Sequence, residues 1–227
     1  MDLESLWAQI EQEQTWRTDE VRFFDNLVSK VAEDNKDRFR RANVLLLYAH
    51  YEGFCKFAFT MYIDAINGEG LDCLNVNYAL AAAAMNTVFR ELRNPDAKAT
   101  EFKATAPDDK KLHLFARDRE FLEKISNFEN RRISIPETVV DTESNLKPAV
   151  LRKNLYRLGF QHDSLEFLEG YIHMLLQTRN EIAHGAHGIG VAEGKYERVR
   201  DVTFEVMSHV KRFVMTALMK KDYLRAS

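Results

Sequence analysis

Glycine and proline are scarce, nine and four in 227 residues, so the turn signals that would divide an all-β chain into short strands are missing. Only Cys55 and Cys73 carry thiols, which excludes a disulfide framework. No run approaches the roughly 18 apolar residues of a membrane span, and the acidic opening Met1-Asp2-Leu3-Glu4 has none of the character of a signal peptide. A cytoplasmic protein without membrane contact is expected. Excess positive charge is also lacking: 32 Lys and Arg stand against 35 Asp and Glu, a formal net charge of −3. No global field draws in nucleic acid, and an RNA site must be a local patch.

What is present is helical periodicity over long stretches. The expected fold is all-α, a single domain over residues 1–227, with an N-terminal helix in 1–34 and a bundle core in 35–227. Leu3, Leu6 and Ile10, then Val21, Phe24 and Val28, make the first helix amphipathic, with a polar middle from Glu11 to Thr15 where it is expected to bend or break. Asp34 to Asp37 reads as a turn. A long helix then runs to about Asn67, stopped by Gly68 and Gly70. Val44, Leu47, Tyr51, Phe54, Ala58 and Met61 form its seam, and Leu45, Tyr48, Glu52, Cys55, Phe59 and Tyr62 form a neighbouring stripe.

Glu52 is the one acid in that second stripe and should be partly desolvated. Two readings stand: it faces the motif helix described below and orients Arg179 or His184, or it is a protonated or water-bonded core acid. His50 lies off both stripes and reads as a surface or groove-lining residue, a secondary candidate for the active site.

The next expected helix spans Asn75 to Leu92, followed by a polar loop from Arg93 to Pro107. A charged helix from about Asp108 to Asn130 carries Leu112, Phe115, Phe121, Leu122, Ile125 and Phe128 on its apolar side. Arg131 to Ser144 reads as irregular, with a short extended piece at Thr138-Val139-Val140. Two such long insertions in a helical domain are mobile or functional more often than idle. Leu146 to Leu158 is a short helix whose Lys147, Arg152, Lys153 and Arg157 are the candidates for phosphate contacts with RNA. The last helix, Lys195 to about Leu224, has the seam Val199, Val202, Val206, Val210, Phe213 and Ala217 and closes the bundle.

Between these lies the motif helix, residues 163–184. Leu165, Leu168, Ile172, Leu175, Arg179 and Ile182 recur at steps of three and four, so Arg179 stands where packing alone would ask for Leu. A guanidinium keeps its charge, and an apolar seam suits it only when a carboxylate or phosphate meets it. A second stripe, His173, Gln177, Asn180 and His184, is polar throughout, and Gly185 stops the helix.

The sequence Arg179-Asn180-x-x-x-His184 at the end of an amphipathic helix resembles the signature of the HEPN superfamily. The stretch Leu46-Leu47-Tyr48-Ala49-His50-Tyr51-Glu52-Gly53-Phe54 is similar to an early helix of one bacterial HEPN branch. Asp141 to Lys147 and Leu158-Gly159-Phe160 resemble that branch's approach to the motif. The resemblance implies an up-and-down helical bundle with loop insertions. It also implies a metal-independent endoribonuclease, with Arg179, Asn180 and His184 as catalytic residues and Tyr48, His50 and Glu52 as possible support. RNA is the implied substrate, a homodimer the implied assembly, and a toxin or antiviral role the implied biology, with an antitoxin or defence-system partner. A nucleotidyltransferase-type antitoxin that modifies a side chain near the motif is one such control. The alternative is a non-catalytic dimerisation module that binds RNA or protein.

The residue types fit metal-free RNA cleavage. Histidine titrates near neutrality and Arg presents a planar fork to phosphate oxygens. His184 at a helix C-terminus favours the protonated form, suited to an acid or phosphate-stabilising role, and Asn180 one turn before it would orient the imidazole or the phosphate. Other chemistries lack their parts. Glu181-x-x-His184 is the sole such element where a di-iron bundle needs two, His184 and His187 lack partners at zinc-finger spacing, and no Walker loop is present. No metal or cofactor is expected.

Overall fold

A computed structural model describes residues 1–183 and 190–225. Its eight α-helices confirm the all-α class and the helical bundle. They are α1 (Leu3–Val28), α2 (Glu33–Gly68), α3 (Tyr78–Ala84), α4 (Asn86–Arg93), α5 (Lys110–Ser126), α6 (Pro148–Arg157), α7 (Glu169–Ala183) and α8 (Glu193–Lys220). Among the described residues no helix is long and apolar enough to cross a membrane.

The bundle is α1, α2, α7 and α8, and α2 is its axis, packing on the other three. Both apolar stripes of α2 are inside, as their spacing predicts: Leu47, Tyr51, Phe54 and Ala58 on one, Cys55, Phe59 and Tyr62 on the other. Leu45 departs from its stripe and is exposed. From α8, Val199, Val206, Val210 and Ala217 close the core.

Several boundaries differ from expectation for local physical reasons. Asp2 caps α1 by accepting the Ser5 N–H at 3.1 Å, and the polar middle of α1 does not break the helix. Gln14 is buried there and donates to Ser208 Oγ at 2.7 Å, while Glu11 takes Lys211 at 2.5 Å. A polar strip on α8 therefore receives the polar strip of α1. The turn expected at Asp34 to Asp37 lies earlier, between Val28 and Glu33, because Glu33 and Asp34 serve as acidic first-turn residues of α2.

The helix expected over Asn75 to Leu92 starts at Tyr78, capped by the Asn77 side chain, and is interrupted at the buried Met85. The extended piece expected at Thr138-Val139-Val140 is confined to Val140: Glu137–Val139 form a 3-10 turn, with Val139 and Val140 buried.

The apolar side expected for α5 is split: Leu112, Phe121 and Phe128 are half-buried, with Phe121 packed on Phe89, while Ile125 is exposed. Phe115 and Leu122 are exposed, while His113, Ala116 and Arg117 are turned inward. This helix packs chiefly on α4, and a His113 ring nitrogen accepts the N–H of Ala99, in the segment after α4, at 3.1 Å.

Candidate functional site

α7 carries the Arg-Asn pair to the end of the described helix. Leu168, Ile172 and Leu175 hold the seam inside, after which the buried positions pass to Leu176 and Thr178. The Thr178 hydroxyl is satisfied by donating back to the Met174 carbonyl at 2.9 Å. Arg179, Asn180 and Ile182 are half-buried. His184, with Gly185 and His187, lies outside the described residues.

Arg179 meets an aromatic ring and an amide where a carboxylate or phosphate was expected. Its guanidinium carbon lies 4.6 Å from the centre of the Tyr48 ring, a cation–π contact, and Nη1 donates to Asn180 Oδ1 at 2.9 Å. Asn180 thus orients the guanidinium. Glu181, the acid of the same turn, is held by Lys195 at 2.8 Å and by Gln177 at 3.0 Å, and these bonds lower its pKa. Among the described residues Arg179 has no ion-pair partner, so its charge is available to an anion.

The Tyr48 ring comes from α2, and its hydroxyl has a separate task. It accepts the Leu146 N–H at 3.0 Å, while Tyr51, three residues on, donates to the Leu146 carbonyl at 3.0 Å. Two buried tyrosines thereby hold both backbone groups of the residue that leads into α6. Burial, reinforced by the Glu52 carboxylate and opposed by the Leu146 N–H and Arg179, raises the Tyr48 pKa to about 12. Its hydroxyl stays protonated at neutral pH. Glu52 is half-buried beside Tyr48. No ion pair joins it to Arg179 among the described residues, and the carboxylate acts on the hydroxyl of the tyrosine that carries the guanidinium.

His50 is not at the surface. Two residues from Tyr48, roughly 200° around the helix, it is buried against α1. Its Nε2 lies 3.0 Å from Glu20, its Nδ1 lies 3.4 Å from Arg17 Nη1, and its ring meets Trp16 edge-on at 5.4 Å. Burial lowers its pKa more than Glu20 raises it. Gly53 belongs to the same contact, because a Cβ there would stand 2.8 Å from Arg17 Nη1. The helix stretch that resembles the HEPN branch therefore faces two ways. Tyr48 lies beside Arg179 with Glu52 next to the tyrosine, whereas His50 and Gly53 seat α1.

The basic residues of α6 also divide. Arg152 binds Glu169 at 2.6 Å and Glu166 at 3.1 Å, tying α6 to the approach of α7, and Lys153 binds Glu143 at 2.8 Å. Lys147 and Arg157 are exposed and have no ion pair among the described residues. No three His, Cys, Asp or Glu side chains among the described residues are gathered so as to hold a metal ion.

Sequence reasoning missed Tyr51 and the Leu146 backbone as parts of the site. The available signal was a pair of tyrosines one turn apart on buried stripes, because a buried phenol needs a hydrogen-bond partner.

The all-α helical bundle is the fold of a HEPN domain. The HEPN_MAE_28990-like HEPN family model matches residues 6–223, and the chain belongs to that family. No curated protein and no solved structure gives a match.

Proposed function

We propose that the protein is a metal-independent endoribonuclease that cleaves RNA at a composite site across a homodimer, acting as a toxin or antiviral effector. The observation that carries this reading is Arg179: half-buried, aligned by Asn180 and Tyr48, and without an ion-pair partner among the described residues. Such a group is suited to a phosphate oxygen.

In the reaction a base removes the proton of the 2′-OH, and the 2′ oxygen bonds to the adjacent phosphorus. The bond from phosphorus to the 5′ oxygen breaks, and an acid protonates that oxygen. The products are a 2′,3′-cyclic phosphate and a 5′-OH. DNA lacks the nucleophile, so the chemistry itself selects RNA. Arg179 stabilises charge on the phosphate, and His184 supplies the proton to the leaving oxygen. One His184 does not serve as base and acid together. A two-fold dimer that sets two motif helices side by side supplies a second His184 and a second Arg179 to one phosphate.

Expression in a bacterial host tests the biological side. Wild type arrests growth and His184→Ala does not. Equal growth of both strains, with cellular RNA intact, would leave the fold as a binding module.

A further inference from the structure

A groove of about 670 Å³ lies between α3, the 3-10 turn at Glu137–Val139 and the end of α6. Its volume is that of a ligand cleft. Two tyrosines stand on it with most of their surface in solvent, Tyr78 at 73% and Tyr156 at 68% exposure. Neither contributes to the core. The Arg225 guanidinium lies 4.3 Å from the centre of the Tyr78 ring and is anchored on the Cys73 carbonyl at 3.1 Å, which fixes the ring without burying it. Arg157 lines the same groove without an ion pair among the described residues, and Asn86 and Thr138 add hydrogen-bonding groups beside it. Asp141 is the acid of the lining, and its Oδ1 accepts the Glu143 N–H at 2.8 Å.

The fold brings the tyrosines together through Gly159. This residue has φ +85°, and a Cβ on it would collide with the Asn77 side-chain amide. Only glycine lets the Asn77 cap of α3 rest on the end of α6, and that contact sets Tyr78 and Tyr156 on the same groove.

We propose that this groove binds single-stranded RNA, with bases stacked on Tyr78 and Tyr156 and a backbone phosphate on Arg157. Exposed aromatic rings beside an unneutralised arginine are the elements by which proteins hold unpaired nucleotides: every base offers a π-face and every linkage a charge. The groove deepens the RNA reading of the protein and rests on it. Its wall continues in sequence into Leu146, the residue clamped by Tyr48 and Tyr51 next to Arg179, so one segment, 138–146, borders both places.

The test uses a fluorescein-labelled single-stranded 2′-O-methyl oligouridine, which lacks the free 2′-OH and is not cut, titrated by anisotropy against the full chain. Replacing Tyr78 or Tyr156 by Ala should weaken binding on the order of tenfold each, and Phe at either position should retain it. Arg157→Ala should also weaken binding and flatten its salt dependence. Both tyrosines are largely exposed, so unchanged melting curves verify the fold of the variants. Wild type that fails to bind, Ala variants that bind as wild type, or Phe variants as weak as Ala would each overturn the groove. Binding through the tyrosines by a protein that cuts no RNA keeps the groove and removes the nuclease. Cleavage with binding indifferent to the tyrosines does the reverse.

Discussion

The two faces of α2 carry similar residues to different ends. On one, His50 and Gly53 receive Arg17, Glu20 and Trp16 of α1; on the other, Tyr48, with Glu52 next to it, stands under Arg179 of α7. The first face is closed. Its histidine is buried among side chains of the chain itself, and its arginine is bound to Glu13 at 2.5 Å. The second is open in charge, because its arginine rests on a ring and an amide. A histidine or arginine in a motif therefore acquires a role from the helix it faces and from whether an acid of its own chain already holds it.

Substitutions on the two faces should separate activity from stability. The largest effect expected is that of Arg179→Ala on RNA cleavage, a loss of about 10² to 10³ with little change in melting temperature, measured with labelled RNA and by calorimetry. His50→Ala should do the opposite, lowering stability by roughly 2–3 kcal/mol in denaturant titrations while the folded fraction cleaves at the wild-type rate. Tyr48→Phe keeps the ring under Arg179 but leaves the buried Leu146 N–H without its acceptor. A cost of about 1–2 kcal/mol and a smaller loss of cleavage than for Arg179→Ala are expected from the same two measurements.

The pH dependence follows from the closed face. The folded pKa of His50 lies below its unfolded value because burial outweighs the Glu20 carboxylate, while Arg17 adds to the lowering and Glu13 opposes it. The unfolded chain thus takes up its proton first. Stability is held above about pH 6.5 and is lost as pH falls through that value towards the folded pKa. Between about pH 7 and pH 5 the melting temperature should drop more for wild type than for His50→Gln, and an equal drop would place the acid sensitivity elsewhere. The smallest effect belongs to Arg152→Ala, which should leave RNA affinity unchanged because Glu166 and Glu169 already hold that charge.

Much of this frame was legible in the residues. Apolar steps of three and four located α2, α7 and α8 and both inner stripes of α2, because periodicity reports a face directly. The same spacing marked Arg179 as misplaced and Glu52 as a partly buried acid. Periodicity is silent about which neighbour a face meets. His50, off both apolar stripes, read as surface until α1 covered it, and the polar middle of α1 read as a break because its partners lie on α8. The clamp on Leu146 joins residues 98 and 95 positions apart, a pairing that no local pattern announces. The split apolar side of α5 follows the same lesson: the pattern does not say that Phe115 and Leu122 stay exposed while Phe121 finds Phe89.

The most direct test of the account is cleavage of end-labelled single-stranded RNA in excess EDTA by wild type, Arg179→Ala and His184→Ala, with analysis of the new termini. The account predicts cutting by wild type alone, leaving a 2′,3′-cyclic phosphate and a 5′-OH. Equal cutting by all three proteins, or cutting that appears only when a divalent metal is restored, would contradict it.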